Sequence, residues 1–473
     1  MSISTRIQAA GLSLLLLSLS ACSLAPQYSR PDMPVPQALT ETEFRGTPGA
    51  AFDAQRLGWR DFFKDKELQE LIAASLKSNR DVKLAALAIR EARAQYGVQN
   101  SERFPQLNAE GTNSYSGGFR RSTDKSYEAA MAVPAFELDF FGRLKNMSES
   151  SLQKYLATRE AEKTVRITLV SQVAQGWLAE RLARERLQLA DSNLENWRKS
   201  YAFIEGRVRS GQSSLLELEQ ARSQVEFASA SVAQRQREVT QAVNALHLLL
   251  GSFEKRELPV AKSLREQSFA ALPGDVSSTV LLDRPDVMEA EHTLLAANAD
   301  IGAARAAFFP SISLTGSLGY MSEDLKTLFS GAASVWSFLP QVTLPIFTAG
   351  KNSANLELAT IRKENSIVQY EKTIQSAFRE VADALMTRAS FTSQFEAQAK
   401  YLASQRLVLQ LATTRYISGA ISYLEVLDAQ RGVFQAEQDL LDIRREQLVN
   451  EINLYSALGG GLIESATAPA LPQ

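Results

Sequence analysis

The sequence predicts a mainly helical fold with a smaller β component: long coiled-coil helix pairs and short strand hairpins, arranged as an internal duplication. Three observations carry that expectation. Landmark residues recur at a constant offset, two stretches of about 120 residues hold no proline, and apolar residues alternate with polar ones in between.

The duplication is read from paired landmarks. Asp81-Val82 recurs as Asp286-Val287, Phe104-Pro105 as Phe309-Pro310 and Tyr115 as Tyr320, all 205 residues apart. Gly142 matches Gly350, Arg207 matches Arg415, Ser210-Gly211 matches Ser418-Gly419, Leu216-Glu217 matches Leu424-Glu425, and Leu250-Gly251 matches Leu458-Gly459, all 208 apart. A loop between Tyr320 and Gly350 absorbs the slip. Two copies are too few for a solenoid.

The helix pairs come next. No proline lies between Pro134 and Pro259 or between Pro345 and Pro469. Glycines near Gly211 and Gly419 are the punctuation inside these stretches, so each reads as two long helices joined by a short turn. The second helix of the first pair carries Leu218, Val225, Val232, Val239 and Leu246 at a spacing of seven, with Ala221, Ala228, Ala242 and Leu249 at d positions and Arg235 as an exception. The second pair repeats this with Val426, Val433, Leu440, Gln447 and Leu454, and with Ala429, Ala436, Ile443, Asn450 and Ala457 at d. A sustained period of seven is coiled-coil packing, and small d residues let neighbouring helices approach closely.

The strands lie between the helical parts. Ile312, Leu314, Gly316, Leu318 and Tyr320 alternate with Ser311, Ser313, Thr315, Ser317 and Gly319. Trp336, Phe338, Pro340, Val342, Leu344 and Ile346 form a second alternating run. Leu107 to Tyr115 and Ala130 to Leu138 repeat the pattern more weakly. Segments of about 10 to 13 residues are long enough to cross a bilayer as tilted strands, and a soluble hairpin has the same period. If the four strands do cross, they cannot close a barrel alone. An open edge in lipid leaves backbone groups unpaired, so the barrel must be shared between chains.

Composition bounds what the chain can do. It is 45% hydrophobic and 22% charged with a net charge of −2, which excludes a basic nucleic-acid footprint over the whole chain and argues against disorder. Two histidines, His247 and His292, and one cysteine, Cys22, cannot build a Cys/His zinc site or an intrachain disulfide. Both histidines fall on expected helices and read as packing or surface groups. No nucleophile elbow, P-loop or dinucleotide fingerprint is present, and Gly459 to Gly461 reads as a stop and linker. The expectation is a non-enzyme without catalytic, cofactor or metal site.

The N-terminus carries one basic residue, Arg6, then an apolar run too short to span a bilayer, which is the layout of a secretory signal. It ends in Leu19-Ser20-Ala21-Cys22, which resembles the lipobox of bacterial lipoproteins. That resemblance implies cleavage before Cys22, lipid on Cys22, and a Gram-negative envelope protein, with Ser23 favouring the outer membrane. Five prolines between Pro26 and Pro48 make an extended tether. The expected organisation is a signal at 1–21, a lipidated and extended tether at 22–64, a first repeat at 65–255 and a linker at 256–275. A second repeat at 276–460 and a tail at 461–473 complete it. The expected strand hairpins lie at 106–140 and 311–348, and the long helix pairs at 142–250 and 350–458.

Several motifs together carry a family resemblance. They are Leu24, Pro26, Tyr28 and Arg30-Pro31 after the lipobox; Trp59 with Phe62-Phe63; Asn79-Arg80-Asp81; and Phe136-Glu-Leu-Asp-Phe-Phe-Gly-Arg143. To these add Arg284-Pro-Asp-Val287, Phe309-Pro310, Leu344-Pro-Ile-Phe347 with Gly350, and Tyr423-Leu-Glu-Val-Leu-Asp-Ala-Gln-Arg431. Over the whole mature chain the sequence resembles the TolC-like outer-membrane factors, specifically the OprM-type, NodT-like lipoproteins of tripartite efflux systems. The resemblance implies a homotrimer with one twelve-stranded outer-membrane barrel, continued by twelve helices as a periplasmic tunnel. It also implies a periplasmic adaptor, an inner-membrane pump of the resistance-nodulation-division type, and export of drugs or other small toxic compounds.

A duct needs a constriction, and the helix-pair turns are where it belongs. Leu424, Asp428 and Arg431 share one helix face past the second turn. The resemblance makes Leu424, Glu425, Asp428 and Arg431 the periplasmic gate and Tyr416 part of its latch. Spacing alone reads Asp428 and Arg431 as an ordinary surface pair. The first turn carries Gln220 and Ser223 where the second has Asp428 and Arg431. A type I secretion duct and a coiled-coil envelope lipoprotein without a pore are the alternatives.

Overall fold

The structure, a computed structural model, describes residues 23–36, 38–40, 56–119, 121–253, 263–272 and 274–465. The expected signal, Cys22 and the last eight residues lie outside the described residues. In chain order the elements are β1 (Ala38–Thr40), α1 (Trp59–Phe62), α2 (Lys66–Ser78), α3 (Arg80–Ser101), β2 (Asn108–Gly118) and β3 (Arg121–Leu138). Then follow α4 (Arg143–Arg209), α5 (Leu215–Leu250), β4 (Asp275–Ser277), α6 (Pro285–Ala306), β5 (Ser311–Ser322), β6 (Ser334–Thr343), α7 (Lys351–Ile417) and α8 (Tyr423–Ala457). The fold is mostly helical. Both α4 and α7 run for 67 residues, about 100 Å at the α-helical rise. No helix among the described residues is long and apolar enough to cross a membrane.

The chain divides into two compact units. The first holds residues up to Asp32, Leu87–Glu160 and Met288–Lys372. Its centre is an antiparallel sheet in the order β2-β3-β5-β6. Register explains its two faces. Leu318 pairs with Trp336 and with Met131, Gly316 with Phe338 and Val133, and Leu314 with Pro340 and Phe136. These side chains share one face because strand side chains alternate. That face is open, with Leu318 67%, Trp336 76% and Phe338 61% exposed. The opposite face is more polar, although Val335 and Leu339 also lie on it: Ser317 pairs with Ser337, their hydroxyls 2.7 Å apart, and Ser313 pairs with Gln341 and Glu137. A bulge at Pro134 and Ala135 breaks the β3–β5 register between Val133 and Phe136; Ala135 sits at φ 33° and its N–H donates to Thr315 Oγ1. Proline at such a position removes no ladder bond.

The second unit holds Met33–Ala86, Ala161–Val287 and residues from Thr373 onward. Asp65 caps α2 by accepting from the N–H groups of Glu67 and Leu68, and Leu68, Leu71, Ile72 and Ser75 form its buried stripe. An aromatic cluster fixes the chain before it: Phe62 stacks on Tyr455 with centroids 4.1 Å apart, and Phe269 meets both Phe62 and Phe63. Burial pushes the Tyr455 phenol well above its ordinary range, and its hydroxyl donates to the Leu57 carbonyl at 2.6 Å. The Arg284-Pro-Asp-Val287 motif also has a structural role here. Arg284, 8% exposed, donates to the Ala457 carbonyl and pairs with Asp286 and Glu380. Burial works against its charge, but the two carboxylates hold its pKa above the ordinary value. A cleft of about 580 Å³ opens beside it, lined in part by Ile167, Thr168, Asp383, Thr387, Phe391 and Asn453.

The described elements depart from the sequence reading in three places. Residues 22–64 were expected to be extended throughout, but α1 lies inside that range and β1 pairs with β4. Burying Trp59, Phe62 and Phe63 stabilises the helical turn, and proline content holds no trace of that. β3 starts at Arg121 rather than Ala130, because cross-strand pairing to β2 extends through a polar stretch without alternation. β6 ends at Thr343, before Leu344 and Ile346.

Candidate functional site

The two helix turns are built alike. In the first, Gln212 N–H donates to the Arg207 carbonyl and Gly211 N–H to the Val208 carbonyl, with Gly211 at φ 73°. In the second, Ala420 N–H donates to Arg415 and Gly419 N–H to Tyr416, with Gly419 at φ 76°. This is the Schellman stop, and it needs a left-handed residue at C′, which is why glycine stands there. The following helices open with a capping box. Ser214 and Glu217 satisfy each other's backbone N–H groups at 3.3 Å, and Ser422 N–H donates to Glu425 Oε1 at 3.4 Å.

The tips are unequal in their side chains. Tyr416, 7% exposed, lies in a core formed by α4, α5, α7 and α8, with Leu194, Trp197, Ile204, Ala221, Tyr423 and Val426. Its ring is 5.4 Å from that of Tyr423, and the Arg207 guanidinium stands 5.1 Å above it. Its hydroxyl lies 3.4 Å from Ser213 Oγ, which in turn donates to Glu217. One tyrosine from the second turn is thus held by a cation and a hydroxyl from the first. Burial, with a smaller contribution from Tyr416, pushes the Tyr423 phenol up to about 12. The positions of Tyr416 and Tyr423 hold Val208 and Leu215 in the first pair, and Leu215 is 72% exposed.

The remaining expected residues lie on the other side of α8. Leu424 is 51% exposed, and Glu425, Asp428 and Arg431 are exposed with it, while Val426, Leu427 and Ala429 face the core. Arg431 stands 3.5 Å from Asp428, and its Nε donates to Gln224 Oε1 on α5 at 3.2 Å. The structure therefore brings Asp428 and Arg431 together on a free face and separates them from the buried Tyr416. It also gives Glu425 a local duty as cap. Sequence reasoning did not find Arg207, Ser213 and Tyr423, which hold Tyr416. The available signal was the aromatic pair present in one turn and absent from the other.

The model of the family described as "Outer membrane efflux protein" matches residues 71–252 and 276–460. CusC, the cation efflux system protein of Escherichia coli K12, is 51% identical over 448 residues, 94% of this chain and 97% of that protein. SilC of Salmonella typhimurium, a probable outer membrane lipoprotein, is 47% identical over 451 residues, again 94% and 97%. A solved structure of CusC, described in terms of folding and transmembrane channel formation, matches with a TM-score of 0.85 at 49% identity, covering 93% of this chain and all of that one.

Proposed function

The chain belongs to the outer membrane efflux protein family, an outer-membrane component of an efflux system, and from that premise we propose that three copies close one duct across the outer membrane and periplasm. The single observation that carries this reading is the four-stranded sheet with one open apolar face and β2 and β6 at its edges. In lipid such edges must find partners, and β6 of one copy meeting β2 of the next is antiparallel, so a ring closes for any number of copies. Three copies give twelve strands, within the range of known outer-membrane barrels. The duplicated architecture is supported by matched lengths: α3 and α6 have 22 residues each, and α5 and α8 have 36 and 35.

The tips of the helix pairs are the gate of this duct. Leu424, Glu425, Asp428 and Arg431 lie on the free face of α8, and three-fold repetition turns them into apolar, acidic and basic rings. Tyr416 is the latch, because its contacts with Arg207 and Ser213 tie the second turn to the first. Cys22 carries the lipid, which the relative named as a lipoprotein supports. A periplasmic adaptor and an inner-membrane pump complete the path. The relative named for cation efflux supports cations as the cargo class.

The test uses a strain lacking its own exit duct for metal ions. Expression of this chain should restore growth on graded concentrations of transition-metal salts, and the outer-membrane fraction should yield a heat-sensitive trimer that conducts in a planar bilayer. A conducting trimer that restores tolerance only to organic drugs would sink the cargo assignment. A protein with neither trimer nor conductance would sink the duct.

A further inference from the structure

The described chain begins with a segment that has no regular structure yet is pinned at every second residue. Arg305 Nη1 donates to the Leu24 carbonyl at 3.2 Å and Asn298 Nδ2 to the Pro26 carbonyl at 2.9 Å. Glu291 accepts from Tyr28 Oη at 3.0 Å and takes Arg30 in a two-point pair at 2.9 and 2.7 Å. The three holding residues on α6 are spaced by seven, so they lie on one face, two turns apart. Lengths agree as well. The six extended steps from Leu24 to Arg30 span about 20 Å, and the fourteen helical steps from Glu291 to Arg305 rise about 21 Å.

Packing fixes the register further. A Cβ on Gly302 would come within 2.7 Å of Ala25 N, so the strap lies directly on the helix there. Ser23 Oγ donates to Asn146 Oδ1 at 2.7 Å, on α4 shortly after the end of β3. Tyr370, fully buried, lies within electrostatic range of the Glu291–Arg30 pair. The Glu291 side chain is 13% exposed against 49% for Arg30, so the carboxylate is the fixed half of the pair. Ionised partners in this geometry form the stronger class of hydrogen bond.

We propose that Glu291 is the catch of an N-terminal strap: it holds residues 23–30 in register along α6 and so fixes the point, at the foot of the strand hairpins, from which the lipid-bearing end of the chain departs. The proposal rests on the reading of Cys22 as the lipid attachment. Glu291 is a positioning residue; it acts on the anchor through Tyr28 and Arg30.

Chymotrypsin provides the test, because the Tyr28–Ser29 bond is cleavable only when the strap lifts. The full-length protein, purified from outer membranes in detergent, is digested and the N-terminal fragment ending at Tyr28 is followed by mass spectrometry. Glu291→Ala and Arg30→Ala should each release that fragment at least tenfold faster than wild type, and Glu291→Gln should fall between. The double variant should be no faster than the faster single one, which marks a shared interaction rather than general loosening. Arg30→Ala touches only the strap, so it remains informative if Glu291→Ala fails to assemble. Wild-type release rates in Arg30→Ala, or additive rates in the double variant, overturn the catch. The mass of the fragment separately reports whether Cys22 is acylated. An unmodified fragment overturns the anchor reading and leaves the strap protection as its own result.

Discussion

Asp428 and Arg431 form the kind of exposed i,i+3 pair that contributes only a few tenths of a kcal/mol to a single chain. In the proposed trimer their worth would lie in repetition around an axis. Replacing both, as Asp428→Ala with Arg431→Ala, should leave the thermal midpoint almost unchanged and raise single-channel conductance in a planar bilayer; an unchanged closed state would remove them from the gate. Glu185 works in the opposite sense, as a cost to folding. Burial raises its carboxyl above the ordinary value, and the hydrogen bond from Leu264 N–H offsets that only in part. A carboxyl with a raised folded-state pKa binds its proton more tightly when folded, so stability falls as pH rises from the ordinary carboxylate range through the raised value. Glu185→Gln keeps an acceptor for Leu264 and removes the charge. Its thermal midpoint should therefore equal or exceed wild type at pH 7, with the difference shrinking towards pH 4. A variant less stable than wild type at pH 7 would refute the assignment.

At the scale of elements, the helix stops carry the most testable chemistry. Gly419 sits at φ 76° with open space around its missing Cβ, so the cost of Gly419→Ala is backbone strain alone. That strain is about 1–2 kcal/mol for an L-residue in the left-handed region. Hydrogen exchange at position 419 and at Ala420 should accelerate by about tenfold, while amides at the first turn keep their rates. The sequence made these elements legible to different degrees. Glycine stops, missing prolines and heptads located both long helix pairs to within a few residues, because those signals are local and strong. The start of β3 was hidden, since Arg121 to Ala129 is strand by virtue of its partner β2 rather than its own pattern. α1 was hidden for a similar reason: Phe62 and Phe63 meet Tyr455, almost four hundred residues on. The Asp428–Arg431 face could be read from spacing, whereas the Arg207 and Ser213 contacts of Tyr416 join residues about two hundred positions apart, which no local period reveals.

For the whole molecule, the open face of the sheet is the decisive surface. Phe338 stands near the middle of β6 on that face. An arginine at mid-membrane depth on the lipid side of a barrel costs about 2–4 kcal/mol. Phe338→Arg should accordingly reduce the heat-sensitive trimer recovered from outer membranes, whereas Ser337→Arg, on the polar face, should be tolerated and alter conductance instead. Equal loss from both variants would contradict the assignment of the two faces.

The inequality of the two turns has a mechanical consequence. Each chain of the proposed trimer brings two helix pairs to the constriction, but only one carries both the ring charges and the tyrosine that fastens it to its neighbour. Around the axis, pairs with and without such a catch would then alternate, and the work of opening would fall on three tyrosine catches instead of six.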